Sequence, residues 1–282
     1  MKKGLVMEGG AMRGMFTAGV TDVFMENGIE FDGAIGVSAG AAFGCNYKSK
    51  QIGRAFQYNH DYCPDPRYGS LRSFLKTGNA YDADFCYGEI PNKLNKFDTE
   101  TFQNNPMEFY VVCTDVETGY GVYHNCLTGD AKDVLWIRAS ASMPMISQIV
   151  EIDGYKLLDG GIADSIPIRK MEELGYDRNV VILTQPLHFK KKPAGYLPAA
   201  RITLRKYPNL IKRMENRHHI YNATTEYLRK KEKNGEVLVV RPPMLLEISG
   251  IVKDPKELER VYEIGRKTGE KYLDSVRSFL AN

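Results

Sequence analysis

The sequence predicts an α/β fold, a mostly parallel sheet with both faces covered by helices, followed by a helical C-terminal extension. Three observations lead there. Short apolar runs alternate with helical periodicity through about the first fifty residues. Glycines fall where each run turns into a helix, and no repeat or low-complexity linker divides the chain. At 282 residues the chain is long enough for one large domain with a buried core.

The elements follow in order. "KGLVM", residues 3–7, is a short apolar run ending at "EGGAMRG", residues 8–14, which reads as a buried strand entering a glycine turn. Met15, Phe16, Val20, Val23 and Phe24 then recur at helical spacing, and Gly28 ends that helix. "FDGAIGV" is a second strand and "SAGAAFGCNYKSKQ" a second helix, completing a βαβ pattern. Further strands are expected at 109–114, 121–124, 148–152 and 180–184. Residues 63–96 read as irregular: a lid, a substrate-contacting insertion or a long surface connection. A helix returns over 207–233, where Leu210, Ile211, Met214, His218, Tyr221 and Leu228 share a face. "EVLVVRP" is strand-like. In the last helix Asp254 is the cap, Pro255 takes the first position and Glu257 has capping-box spacing. Its buried stripe runs through Leu258, Val261, Tyr262, Gly265, Tyr272, Val276 and Phe279.

Composition narrows the function classes. A net charge of +3 says nothing about partners, but its distribution does. Residues 187–241 hold fourteen Lys or Arg against four Glu, a local excess of ten. That segment is either a solvated helical face or a surface for anionic lipid headgroups or phosphates. No nucleic-acid-binding motif accompanies it, so nucleic acid is not expected as a partner. Five scattered cysteines (Cys45, Cys63, Cys86, Cys113, Cys126) show neither disulfide nor metal spacing and fit free thiols. No apolar run reaches signal-peptide or transmembrane length. The expected location is cytoplasmic, with peripheral membrane contact allowed.

Three motifs can carry chemistry. "GVSAG", residues 36–40, puts Ser38 where a strand turns sharply into a helix, an elbow that lifts a hydroxyl above the sheet. Gly36 and Gly40 leave room for close strand–helix approach. The same residues also suit a plain serine N-cap. "EGGAMRG" offers consecutive backbone N–H groups to an anion. It lacks the Gly-Lys-Ser/Thr of a phosphate loop and is at best a degenerate dinucleotide fingerprint. "LLDGGIADSIPI", residues 157–168, carries Asp159 before Gly160 and Gly161, which also suits a hairpin turn. His188, His218 and His219 follow Asp159, so a Ser–Asp–His order is available. His218 and His219 are neighbours on a helix and are expected to point apart, one toward the core. No histidine–carboxylate cluster suggests a metal.

Together and in this order the motifs resemble the patatin-like phospholipase family, whose pattern is Asp/Gly-Gly-Gly-x-Arg/Lys-Gly, Gly-x-Ser-x-Gly, then Asp-Gly-Gly/Ala. "RASASMPMI", residues 138–146, resembles that family's Ala-Ser-x-x-x-Pro segment. The resemblance covers roughly residues 3–185, and the C-terminal hundred residues, with "NRHHIYN", look like a bacterial branch. It implies a three-layer α/β/α catalytic domain over 1–186, with a basic, mainly helical region, 187–282, packed on it. It implies a Ser–Asp dyad, with Ser38 as nucleophile and Asp159 as base. Gly9, Gly10 and Ala11 would form the oxyanion hole, with Arg13 bracing the loop or adding charge. Ala11 departs from a usual glycine and Glu8 from a usual Asp or Gly. The implied activity is cofactor-free hydrolysis of lipid or other acyl esters. The alternative is a non-enzymatic lipid- or acyl-binding module on the same fold.

Overall fold

Strand β1 (Lys2–Met7) runs through a 3-10 turn (Ala11–Arg13) into α1 (Gly14–Glu26), and β2 (Gly33–Val37) runs into α2 (Ala39–Lys48) in the computed structural model, which describes residues 1–281. Helices α3 (Arg54–Tyr62) and α4 (Leu71–Thr77), a π-helix (Phe85–Leu94) and α5 (Thr99–Asn104) precede β3 (Glu108–Asp115) and β4 (Gly121–Asn125). After α6 (Ala131–Ser140) come β5 (Val150–Ile152) and β6 (Tyr155–Asp159), then α7 (Ile168–Glu173) and β7 (Tyr176–Ile182). Helices α8 (Leu197–Thr203) and α9 (Pro208–Lys233), β8 (Val237–Val240) and α10 (Pro255–Ala281) complete the chain.

All eight strands join one sheet in the order β5-β6-β3-β2-β1-β7-β8, with β4 also on β3. The stretch β3-β2-β1-β7-β8 is parallel, and the β4, β5 and β6 pairings are antiparallel. Alternation along β1 divides the core. Leu5 and Met7 pack with Met15, Phe16 and Phe43 of α1 and α2 and Val261 of α10. Val6 packs on the opposite face with Met171 of α7 and Tyr221 and Leu228 of α9. The fold is therefore three-layered, as expected.

The C-terminal region is not an appendage. β8 extends the parallel sheet from β7. α10 crosses α1 backbone against backbone: a Cβ at Gly265 would lie 2.2 Å from the Phe16 carbonyl oxygen, and one at Gly19 2.3 Å from that of Tyr262. Gly265→Ala is expected to cost about 1–3 kcal/mol, because neither helix backbone can yield. Gly195→Ala, where nothing lies within 4 Å, is the control. Equal melting temperatures for the two variants would refute the close crossing.

Residues 63–96 are not irregular. α4 and the π-helix occupy much of the segment. Their signal was missed because α4 is short and the π-helix contains Gly88 and Pro91, which erase a 3.6-residue period. Asp254 caps α10 by accepting from the Lys256 N–H at 3.0 Å. Glu257 pairs instead with Arg260, at 2.9 Å. Among the described residues no helix is long and apolar enough to cross a membrane.

Candidate active site

Ser38 joins β2 to α2 at φ 55°, ψ −119°, a conformation strained for any residue with a Cβ. A Cβ at Gly36 would meet the Gly40 oxygen at 2.4 Å, and one at Gly40 would meet the Met7 oxygen at 2.4 Å. Both glycines are thus required by the tight elbow. The hydroxyl makes no N-cap bond to α2. It donates to Asp159 Oδ2 at 2.6 Å, within a buried pair 7% and 6% exposed. That length is typical of a hydrogen bond to an ionised carboxylate.

β3 aligns the pair. Val37 registers with Val112 of β3, and Asp159 registers with Cys113, the next residue along it. Asp159 ends β6 and enters a 3-10 turn rather than a hairpin. The hairpin Asp-Gly lies earlier, at Asp153 (φ 50°) and Gly154 (φ 81°), between β5 and β6. Asp159 Oδ1 accepts the Gly161 N–H at 2.7 Å, and Gly160 lies so near β3 that a Cβ would reach the Val112 oxygen at 2.0 Å. Burial raises the Asp159 pKa; the Ser38 hydrogen bond, the Arg217 charge and the Gly161 N–H oppose that rise.

The "RASAS" segment braces both groups. Ser140 Oγ accepts the Ser38 N–H at 2.9 Å and donates to the Val112 oxygen at 2.6 Å. The Ser142 oxygen accepts the Asp159 N–H at 2.7 Å.

The glycine loop lies against the elbow: a Cβ at Gly9 would be 3.0 Å from Ser38 Cβ. Thr184 Oγ1 donates to the Gly9 oxygen at 3.1 Å and stands 2.7 Å from where a Gly10 Cβ would be. Ala11 adopts φ 48°, the left-handed region a glycine would enter without cost. Glu8 is buried as a tie, accepting the Thr184 N–H at 2.6 Å and the Tyr221 hydroxyl at 2.8 Å. Arg13 opens α1 beside Gly10 and lines the cavity.

Sequence reasoning missed a ridge on α9. Arg213 donates to the Ala163 oxygen, Arg217 Nε to the Gly161 oxygen at 2.5 Å, and Tyr221 to Glu8. Their i, i+4, i+8 spacing puts all three on one face, holding the Asp159 loop and the glycine loop together. The spacing was legible, but the arginines were read only as charge.

Two cavities meet at Ser38, and Ala11, Ser38 and Met143 line both. The first encloses about 1070 Å³ counted out to solvent, with Phe43, Tyr58, Tyr87, Ile90 and Ile137 among its walls. Residues 68–91 supply much of that wall, so the 63–96 segment lines the cavity. The second, about 1050 Å³ on the same measure, carries Arg13, Lys191 and Arg217 with Glu8 and Asp159.

Among the described residues no histidine lines the Ser38 cavities. His188 and His219 are exposed and His218 is half-buried. The rings of His218 and His219 do not point apart as expected; they meet with centroids 3.9 Å apart. The fold also makes a cluster the sequence did not suggest, His124, Cys126 and Asp133, within 4.8 Å of one another. Asp133 Oδ2 there accepts the Thr128 and Gly129 N–H groups at 2.7 and 2.8 Å, and Oδ1 bonds His124 at 3.2 Å. Hydrogen bonds to the loop account for that carboxylate.

Residues 5–171 match the model of the patatin-like phospholipase family. The chain belongs to that family. Membership of a patatin-like phospholipase family points to lipid acyl hydrolysis as the class of activity. Residues 207–281 match a second model, a domain of unknown function (DUF6363). Over 288 residues this patatin-like chain is 28% identical to the uncharacterized protein YjjU of Escherichia coli (strain K12), covering 98% of the chain and 78% of that protein. It is 25% identical to lysophospholipase nte1 of Aspergillus terreus (strain NIH 2624 / FGSC A1156) and 24% to lysophospholipase NTE1 of Coccidioides immitis (strain RS). It spans 18% of the length of each, with 98% of the chain covered. The crystal structure of VipD from Legionella pneumophila matches at TM-score 0.47 and 12% identity, covering 97% of this chain and 67% of that one.

Proposed function

We propose that the protein is a serine acyl hydrolase that cleaves lipid carboxylic esters through a Ser38–Asp159 dyad. The observation that carries this reading is the 2.6 Å hydrogen bond from Ser38 Oγ to Asp159 Oδ2, at a strained elbow between an apolar and a cationic cavity. Asp159 takes the Ser38 proton as Oγ attacks the ester carbon. The oxyanion meets backbone N–H groups of Gly9, Gly10 and Ala11, beside the positive end of α1. Collapse expels the alcohol, which leaves with the proton from Asp159. Water then repeats the sequence on the acyl-enzyme and releases the acid. The acyl chain occupies the apolar cavity. Residues 1–186 supply the reacting groups, and 187–282 supply the α9 ridge and β8.

The test is a fluorophosphonate probe followed by peptide mass spectrometry, alongside hydrolysis of a chromogenic short-chain ester. A covalent adduct on Ser38, with turnover retained by a His218→Ala/His219→Ala double variant, is expected. A folded protein that binds acyl ligands but gives neither adduct nor turnover is the binding module instead.

Peripheral contact with an anionic membrane fits α4 better than residues 187–241. Lys191, Arg201, Arg213, Arg217, Arg229, Lys231 and Arg241 of that segment engage partners within the molecule. α4 exposes Leu71, Arg72, Leu75 and Lys76, with the two leucines 71% and 78% exposed. The Ala80 N–H just beyond it donates to the oxygen of Ile146, a cavity residue, at 2.8 Å. Co-sedimentation with phosphatidylglycerol vesicles is expected for the wild type and to be lost in Leu71→Asp/Leu75→Asp. Equal binding by the two proteins would sink this assignment.

A further inference from the structure

We propose that His124, Cys126 and Asp133 form a structural zinc site that fastens the first turn of α6 to the end of β4. The inference is independent of the ester-hydrolase reading, because none of the three residues lines either cavity at Ser38.

The ligands come from one short stretch of chain. His124 lies in β4, Cys126 directly follows that strand, and Asp133 lies in the first turn of α6. One donor atom from each lies within 4.8 Å of the other two. His124 Nε2 and Asp133 Oδ1 stand 3.2 Å apart. Two nitrogen or oxygen ligands of a tetrahedral zinc, each about 2.0–2.1 Å from the metal, are separated by about 3.3 Å. A thiolate sulfur in such a site lies about 3.6 Å from the other ligands, so the Cys126 thiol needs to close by about 1 Å at most.

The surroundings hold the ligands in place. The Thr128 and Gly129 N–H groups and the Thr128 hydroxyl all donate to Asp133 Oδ2. These bonds account for Oδ2 alone; they fix the carboxylate and leave Oδ1 turned to His124. The His124 ring stacks on Trp136, with centroids 4.3 Å and planes 6° apart. Cys126 is the most telling of the three. Cys45, Cys63, Cys86 and Cys113 each donate a thiol to a backbone oxygen. Among the described residues the fully buried Cys126 thiol has no such partner and sits beside the imidazole and the carboxylate instead. Neighbouring cations are engaged elsewhere: Lys48 Nζ donates to the Cys126 carbonyl oxygen at 3.2 Å, and Lys132 Nζ pairs with Asp153 at 2.9 Å.

A thiolate, an imidazole and a carboxylate together suit Zn²⁺ rather than magnesium or calcium, which take oxygen ligands. Binding sends the Cys126 thiol proton to water and replaces the His124–Asp133 hydrogen bond by two metal bonds. A fourth position is left to water, reached past the His124 side chain, which is 25% exposed. The gain is structural: α6 ends at Ser140, which holds both Ser38 and Val112.

Trp136 is the chain's one tryptophan, so its fluorescence reports on the ring that would bind the metal. Chelator-treated wild type is titrated with Co²⁺ and then with Zn²⁺. One Co²⁺ per chain is expected to give a thiolate-to-cobalt absorption band and to quench Trp136 with the same midpoint. Zn²⁺ should reverse both signals and raise the melting temperature. Cys126→Ser should abolish the band and weaken Co²⁺ binding more than about 100-fold, and Thr128→Val, which removes one bond behind Asp133, about 10-fold. Cys113→Ser should behave as the wild type. No band in the folded wild type overturns the site. A band without tryptophan quenching places the metal at another cysteine, and quenching without a band removes the thiolate; either also overturns it. So does a band retained by folded Cys126→Ser. If that variant does not fold, the two wild-type signals and Thr128→Val decide.

Discussion

Replacing Ser38 with alanine is expected to cut kcat by about 10⁶-fold, the size of effect seen when a serine nucleophile is removed. Ester turnover near the wild-type rate in Ser38→Ala would refute the nucleophile. A second variant separates chemistry from backbone strain. Ser38→Gly also lacks the hydroxyl, but it lacks the Cβ that φ 55° disfavours. Such strain costs on the order of 1–3 kcal/mol, and glycine gives back about 0.5–1 kcal/mol as unfolded-state entropy. Ser38→Gly should therefore be inactive yet more stable than Ser38→Ala, by about 1 kcal/mol. Calorimetry of the two inactive proteins checks this without any substrate. A less stable glycine variant would mean that the elbow is not strained.

Asp159→Asn should lower kcat by about 10²–10⁴-fold, the usual contribution of a general base. It should also raise the melting temperature. The folded protein raises the pKa of Asp159, chiefly through burial. A carboxyl with a raised folded-state pKa favours folding while protonated, below its unfolded value of about 3.9. That contribution is lost as pH climbs through the folded pKa, so the ionised carboxylate opposes folding at neutral pH. Asparagine has no such charge to bury. The stability difference between Asp159→Asn and wild type should thus widen from about pH 4 toward neutrality. In the wild type the acid limb of kcat/KM should lie above the ordinary aspartate range. A variant that melts below the wild type at neutral pH would show that the Asp159 charge stabilises the fold.

The motifs that hold the proposed reacting groups were legible because each is a local backbone feature. "GVSAG" is a strand, a turn and a helix within five residues, and the glycines that make the turn possible are part of the motif. "EGGAMRG" is the same kind of object, a strand end leading into a helix start. The first two βα units and the sheet strands other than β6 followed from apolar runs and periodicity, which depend on near neighbours alone. Asp159 could be named from its motif, but its competing reading as a hairpin turn could not be dismissed. The register of β3 places Asp159 beside Ser38, with Val37 against Val112 and Asp159 against Cys113 of that one strand.

What the tertiary structure alone decided is everything that depends on segments far apart in the chain. Glu8 and Tyr221 are 213 positions apart and share a hydrogen bond. Arg217 reaches Gly161 across 56 positions, so a charge run became a brace for the Asp159 loop. Lys191 is held by Asn222 and sits over the Tyr221 ring, contacts that its own "KKK" neighbours do not announce. Residues 63–96 became a cavity wall although they show no periodicity. The physical reason is the same in each case. A local motif sets the conformation of its own backbone, whereas partners of a side chain are chosen by the packing of layers that the chain builds only when it folds.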